Sequence, residues 1–282
     1  MKHARVVPVL MYHHVSPVPG MITVSPEHFE DQLRWLKRHG YRSLSCDQFA
    51  GFLAGEPVPP RSVLITFDDG YLDNWVYAYP LLERYGYRAA LFVVTGWVGQ
   101  GEPRPHAGKP EAILPSTPSH ADCERLVLTG RADQAITRWS ELRAMKEAGV
   151  FEVHSHTHTH TRWDQGPRRG NKNALMAEEL EHARTTLRRE LNEESEHFCW
   201  PQGYYDREYQ RIAQAAGYRY LYSTQAFGQN CVGTDPAAIY RFAVRNTTGA
   251  SVGRRIRVAT HPWIGPLFNR WKRWRRRHRE SS

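Results

Sequence analysis

Short apolar runs alternate with amphipathic stretches along most of the chain. Val6 to Met11 reads as a first strand, and a helix follows that opens at Ser25-Pro26, carries Phe29, Leu33 and Leu36 on one face, and stops at Gly40. SVLITF (62–67) then precedes a helical stretch interrupted by Pro80, and AALFVV (89–94) comes next. Residues 99–122 are rich in Gly, Pro, Ser and His without periodicity, which predicts a long excursion over the surface. Beyond it the pattern predicts a helix over Trp139–Gly149, a strand at FEVHS and a charged helix over Asn173–Leu191. A strand at HFCW (197–200), a helix over Asp206–Gly217 and a strand at YRYLYS complete the series. Strands that alternate with helices in this way build a parallel sheet covered by helices, here with about six or seven β/α units.

Polar clusters sit where the apolar runs end. His13 ends the first strand, Asp68-Asp69-Gly70 follows SVLITF, a histidine run follows FEV, and Pro201-Gln202-Gly203 follows FCW. In a parallel barrel the C-terminal ends of all strands open on one face, so these four groups can converge.

Two of the clusters carry candidate chemistry. Asp68 and Asp69 are adjacent at a strand tip, where alternation sends their side chains in different directions, so that one can bind a metal while the other faces a substrate. Asp-Asp-Gly alone also makes an ordinary turn. His154, His156, His158 and His160 occupy every second position, an arrangement that suits metal ligation and also occurs in exposed His-rich tracts. Spacing does not select the ligands: an extended run puts all four on one face, whereas a turn after His156 separates them. Two His and one carboxylate with open positions for water are what a hydrolytic zinc centre requires.

In order, Thr66-Phe67-Asp68-Asp69-Gly70, Ser155-His156-Thr157-His158-Thr159-His160 and a Pro-x-Gly loop resemble the motifs of the polysaccharide deacetylase family, carbohydrate esterase family 4. The resemblance covers roughly residues 5–245. It implies an α/β fold, a distorted (β/α)7 barrel, with Asp68 as general base and Asp69, His156 and His160 as metal ligands. Phe198 to Tyr204 resembles the groove-wall motif, which assigns Pro201, Gly203 and Tyr204 to substrate binding, with Trp200 as a further groove residue and a backbone N–H near Gly203-Tyr204 as an oxyanion donor. The arginine that many members carry in that motif is missing, and so is the usual C-terminal Leu-x-His, for which His261 is a poor match. Met11-Tyr12-His13-His14-Val15 instead resembles the opening of the poly-N-acetylglucosamine deacetylases, whose motif order is permuted, which makes His13 the general acid. The implied cofactor is one divalent ion, zinc by default, although a His₂Asp site also accepts cobalt, nickel or iron. The implied reaction releases acetate from an N-acetylated amino sugar, and the rival to an enzyme is a sugar-binding barrel that has lost turnover.

Charge and composition add a second region. The formal net charge of +9 has one source, because residues 254–279 hold ten Arg/Lys and the two signs balance without them. From Trp263 to Arg279, Ile264, Leu267, Phe268, Trp271 and Trp274 recur at helical spacing among the cations, as in a helix that lies on an anionic membrane. That apolar stripe exceeds what phosphate contacts need, which sets nucleic acid aside. The expected organisation is a catalytic domain over 1–250 and a basic amphipathic tail over 251–282. Val6–Met11 is too short for a signal-peptide core, and Cys46, Cys123, Cys199 and Cys231 lie too far apart for a disulfide framework or zinc knuckle. Both favour a cytoplasmic protein on the inner face of a bacterial membrane, with a lipid-linked or lipopolysaccharide-precursor substrate. An exported polysaccharide is the alternative.

Overall fold

A computed structural model describes residues 3–109, 111 and 113–279. Its elements in chain order are β1 (Val9–Tyr12), β2 (His14–Val15), β3 (Thr23–Val24), α1 (Pro26–Arg38), β4 (Arg42–Ser43), α2 (Cys46–Ala54), β5 (Ser62–Asp69), α3 (Tyr79–Tyr85) and β6 (Ala89–Val93). There follow α4 (His120–Leu128), α5 (Trp139–Glu147), β7 (Phe151–Ser155), α6 (Lys172–Leu191), β8 (His197–Cys199), α7 (Arg207–Ala215), β9 (Tyr220–Tyr222), β10 (Phe242–Ala243), α8 (Gly249–Thr260) and α9 (Ile264–Arg279).

The main sheet runs β10-β1-β5-β6-β7-β8-β9 with every pair parallel, and β4 adds to β5. Ile239 bridges to Tyr222 of β9, and three residues later Phe242 pairs with Leu10 of β1. The curled sheet therefore comes round on itself as the expected distorted α/β barrel. β1, β5 and β6 are buried at every position, as strands covered on both faces must be, which is why they read as unbroken apolar runs.

Alternation along the strands separates two cores. Leu10, Tyr12, Ile65, Phe67, Leu91 and Val93 point outward to the helices. Leu64, Ala90, Phe92, Cys199 and Tyr222 point inward and meet Cys46, Phe49 and Phe52 of α2, which plugs the N-terminal end of the barrel. Helix starts follow the expected chemistry: Ser25 caps α1 with Pro26 at its first position, and Ser45 and Gln48 form a capping box on α2. The helical stretch with Pro80 runs from residue 72 to 85 and is interrupted as expected: a π-helical turn over Asn74–Ala78 breaks its regular geometry directly before Pro80, which stands in the first turn of α3.

The first strand begins at Val9 and includes Tyr12, later than the apolar run suggested, because Val7 N–H bonds instead to Asn230. The excursion ends earlier than expected, since α4 starts at His120 with Ser119 as cap. Its first half is pinned by Arg104, which bonds the buried Glu141 through two nitrogens at 2.8 and 2.7 Å. Residues 251–260 of the expected tail belong to α8, which packs on α1 through Gly249 and Gly253 against Trp35 and through the buried Val252 and Ile256. Among the described residues no helix is long and apolar enough to cross a membrane.

Candidate active site

β5 delivers both aspartates, and the backbone decides how they part. Asp68 continues the inward-facing set of Leu64 and Thr66. Asp69 adopts a left-handed φ of 73° that turns its carboxylate toward β7. The histidine run is also bent: Thr157 (φ 71°) and His160 (φ 61°) make a turn after His156. His156 and His160 are thereby brought together, His154 points down the barrel, and His158 turns aside to Thr95 Oγ1 at 2.9 Å. The buried Glu179 of α6 fixes the turn by accepting from the N–H groups of His158 and Thr159 at 2.9 and 2.8 Å and from the Thr159 hydroxyl.

Asp69 Oδ1 lies 3.4 Å from His156 Nε2 and 3.5 Å from His160 Nε2. It is buried and has no hydrogen-bond partner. An acceptor of this kind, facing two imidazole nitrogens at the spacing of donors around one ion, fits a divalent metal. His156 Nδ1 is 2.7 Å from the Cys199 carbonyl, the contact that fixes Nδ1 as the donor and leaves the Nε2 lone pair for a ligand. Burial pushes the Asp69 carboxyl up to about 6 and the His156 imidazole down to about 3, so neither charged form is comfortable without an ion.

Asp68 is held differently. Arg241, fully buried on the segment that closes the barrel, reaches it through two nitrogens at 2.7 and 2.8 Å. The same guanidinium bonds Thr66 Oγ1, the Ser223 carbonyl and Cys199 Sγ. Burial raises the Asp68 carboxyl, but the charge and hydrogen bonds of Arg241 more than reverse this and hold it well below the usual carboxylate range. Cys199 Sγ, His156 and Asp68 also cluster, but the fork on Asp68 leaves Asp69 as the carboxylate free to bind a metal.

His13 Nε2 stands 3.8 Å from Asp68 Oδ2 and is partly exposed. Burial draws its imidazole below the ordinary value against the opposing charges of Asp68 and Asp69. His14 points to the other side, where its Nδ1 lies 2.6 Å from Asp73 Oδ2, its Nε2 lies 3.2 Å from His120 Nδ1, and Tyr71 stacks on its ring. This Asp73-His14-His120 series, buried at Asp73 and His14 and partly exposed at His120, flanks the site and ties α4 to it. Sequence spacing gave no sign of it.

Residues 55–221 match the family profile described as polysaccharide deacetylase. The chain belongs to that family. Curated relatives include a putative polysaccharide deacetylase, YxkH, of Bacillus subtilis, 39% identical over 93 residues (33% of each chain). A poly-beta-1,6-N-acetyl-D-glucosamine N-deacetylase of Staphylococcus aureus is 40% identical over 80 residues, 28% of this chain and 27% of the relative. The chain thus spans about a third or less of the length of these curated relatives. Among solved structures, IcaB from Ammonifex degensii superposes with a TM-score of 0.69 at 23% identity, covering 89% of this chain and 97% of that one. The Streptococcus pyogenes deacetylase PplD superposes with a TM-score of 0.69 at 21% identity, covering 88% and 97%. At these identities the likeness concerns the fold.

Several deacetylase motif positions need correction. The missing arginine has a counterpart in Arg241, far from the groove-wall motif in sequence. Trp200 is no groove residue: it is fully buried, with Phe198, Tyr205 and Tyr209 around it. Trp97, half-buried just after β6, has its ring 5.4 Å from that of His160. Pro201 is buried and Gly203 turns the chain at φ 71°. Tyr204 lies under Arg162, whose guanidinium carbon is 4.2 Å from the ring centre. The N–H groups of Gly203 and Tyr204 donate within this turn, to the Trp200 and Pro201 carbonyls, so neither is a free oxyanion donor as expected. His261 caps the start of α9 and takes no part in the site.

Proposed function

We propose that the chain is a metal-dependent de-N-acetylase that hydrolyses the acetamido group of an amino sugar. The observation that carries this reading is the buried, unpartnered Asp69 Oδ1 facing the Nε2 atoms of His156 and His160, beside a second carboxylate held ionised by Arg241. Asp69, His156 and His160 would hold the ion, zinc by default, with cobalt, nickel or iron also compatible with the donor set. Such an ion supplies Lewis acidity toward a carbonyl oxygen and lowers the pKa of water. Asp68, locked by the fork of Arg241 and ionised at neutral pH, takes the proton of the attacking water at its carboxylate. His13, on the same face, returns a proton to the nitrogen of the departing amine, which leaves poorly as an anion. Trp97 beside His160 would offer the sugar ring an apolar face, and Tyr204 of the Pro201–Gly203 turn would contact it through the part of its ring that Arg162 leaves free.

The substrate reading is an N-acetylated amino sugar of a cell-envelope glycan, in lipid-linked or lipopolysaccharide-precursor form, with exported polysaccharide as the alternative and a non-catalytic sugar-binding barrel as the rival outside enzymology. The lipid-linked form is favoured by α9 and the residue before it, where Trp263, Ile264, Leu267, Trp271 and Trp274 are exposed among cations. Such a face suits the anionic cytoplasmic leaflet of a bacterial inner membrane, where each Lys or Arg contributes about 1 kcal/mol.

Acetate release from a panel of N-acetylated acceptors, with and without chelator, tests the chemistry. Asp68→Asn should lose activity and keep metal, whereas His156→Ala should lose both. Equal metal content in wild type and His156→Ala would remove the ligand assignment. Flotation of the intact chain with anionic but not neutral liposomes, and its recovery in the cytoplasmic membrane fraction, test the location. Recovery in the periplasm or medium would turn the reading to exported polymer.

A further inference from the structure

The end of the barrel opposite the candidate active site holds a second group of metal-binding side chains. Glu152 and His154 lie two residues apart on β7, so both point inward, and Cys46 is the first residue of the plug helix α2 beneath them. We propose that Cys46, Glu152 and His154 form a second metal site, with thiolate, carboxylate and imidazole donors of the kind that zinc takes.

The geometry is close to what an ion needs. One donor atom from each residue lies within 4.8 Å of the other two. His154 Nε2 and Glu152 Oε2 are 3.7 Å apart, too long for a hydrogen bond and within the roughly 3.3–3.8 Å that separates donors around a tetrahedral zinc with bonds of about 2.0–2.3 Å. His154 is 8% exposed, and its Nε2 is buried with no hydrogen-bond partner. Its other nitrogen, Nδ1, is 2.7 Å from Ser195 Oγ, which orients the ring so that Nε2 faces Glu152 and Cys46. Glu152 Oε2 already accepts from the Cys46 N–H at 2.8 Å, which keeps strand and helix together at this point.

There is also a way in. A cavity of about 530 Å³ is lined by Glu152 and His154 and by further carboxylates (Asp47, Glu147, Glu193, Glu194 and Glu196) that outnumber its two cations, Arg88 and Lys146, the latter paired with Glu193, which leaves it attractive to cations. Binding exchanges the Cys46 thiol proton for the metal, and that proton leaves to solvent through the cavity. Three protein donors would leave a further coordination position for water. Because this site clamps α2 to β7 at the barrel's closed end, its role is to hold the plug in place, independent of hydrolysis at the other end.

Cobalt titration of the chelator-stripped full chain reads this site separately, since only a thiolate ligand gives a near-ultraviolet sulfur-to-cobalt charge-transfer band. Wild type should show the band and bind two cobalt ions. His156→Ala should keep the band with one ion. Cys46→Ser should lose the band and one ion while acetate release stays unchanged, and Cys199→Ser, the control for the buried thiol beside Asp68 and His156, should keep the band. Glu152→Gln, which retains the thiol and the fold contact, should weaken the titration at least tenfold. No band in wild type, or a band that survives Cys46→Ser and disappears with Cys199→Ser, overturns the proposal.

Discussion

Replacing Arg241 by Met removes a charge and keeps the bulk. Arg241 is fully buried and spends its guanidinium on Asp68 (two bonds), Thr66, Ser223 and Cys199, all within 3.2 Å. Its loss strands the Asp68 carboxylate in a site where burial alone raises the carboxyl. Breaking a buried pair on one side costs about 3–5 kcal/mol, a large share of a stability of about 5–15 kcal/mol. Arg241→Lys keeps the charge without the two-pronged geometry and should fall between the two.

The sign of the pH effect follows from the same contact. In wild type the folded-state carboxyl of Asp68 lies below its unfolded value, so its stabilising contribution is present above about pH 4 and is lost as the pH falls through the lower folded value. In Arg241→Met the shift should reverse, leaving Asp68, the proposed base, protonated at a pH where the wild type is ionised. The acidic limb of the kcat/KM profile should therefore move to higher pH, with activity near neutrality reduced by about 10²-fold or more. Urea unfolding and the pH profile are the two assays. In an Asp68→Asn background the same replacement should cost much less, because the stranded charge is gone. If Arg241→Met unfolds within about 1 kcal/mol of wild type and its acidic limb stays in place, the fork is an incidental contact and the argument fails.

Three further outcomes follow from the site. Glu179→Ala frees the turn between His156 and His160 without touching either ligand and should weaken metal affinity by about 10–100-fold, measured by competition with a chelating dye. Asp69→Asn should abolish metal binding yet raise the melting temperature of the metal-free chain at about pH 7.5: with a folded value near 6, above the unfolded one, the wild-type carboxyl supports the fold only while protonated. That gain should vanish toward about pH 4, and equal gains at both pH values would refute the burial argument. His13→Ala should slow amide hydrolysis by about 10²–10⁴-fold but leave hydrolysis of an activated aryl ester nearly intact, since a phenolate needs no proton to depart. Equal losses on both substrates would remove the general-acid role.

How much of this could be read from residues alone depended on the range of the interaction. Strand and helix order was legible because each buried parallel strand is a local apolar run, and the His13, Asp68-Asp69 and histidine groups at the ends of those runs did converge. The ligand choice within the histidine run was not, because it turns on left-handed backbone at Thr157 and His160, residue types that give no warning of it. Trp200 could have been placed correctly: with Cys199 inward, alternation sends Phe198 and Trp200 outward into the helical layer. Arg241 lies 173 positions from its partner and immediately precedes a strand of only two residues, too short for periodicity. The only trace was a lone charge inside Ile239-Tyr240-Arg241-Phe242-Ala243-Val244, a run otherwise fit for a core.

That trace bears on the central asymmetry of the site. Asp68 and Asp69 are chemically identical neighbours, and nothing local assigns one to a proton and the other to a metal. Burial raises both carboxyls. What separates them is that Asp68, facing inward, meets a fixed cation that no ion need replace, while Asp69, rotated by its positive φ, meets two neutral imidazoles that cannot neutralise it. An ion completes the second arrangement and would be repelled by the guanidinium in the first. Exchanging the environments should therefore exchange the roles. With Arg241→Met, Asp68 loses its cation and becomes a possible ligand beside His156 and Cys199, so that variant should bind soft divalent ions more promiscuously than wild type even as hydrolysis fails.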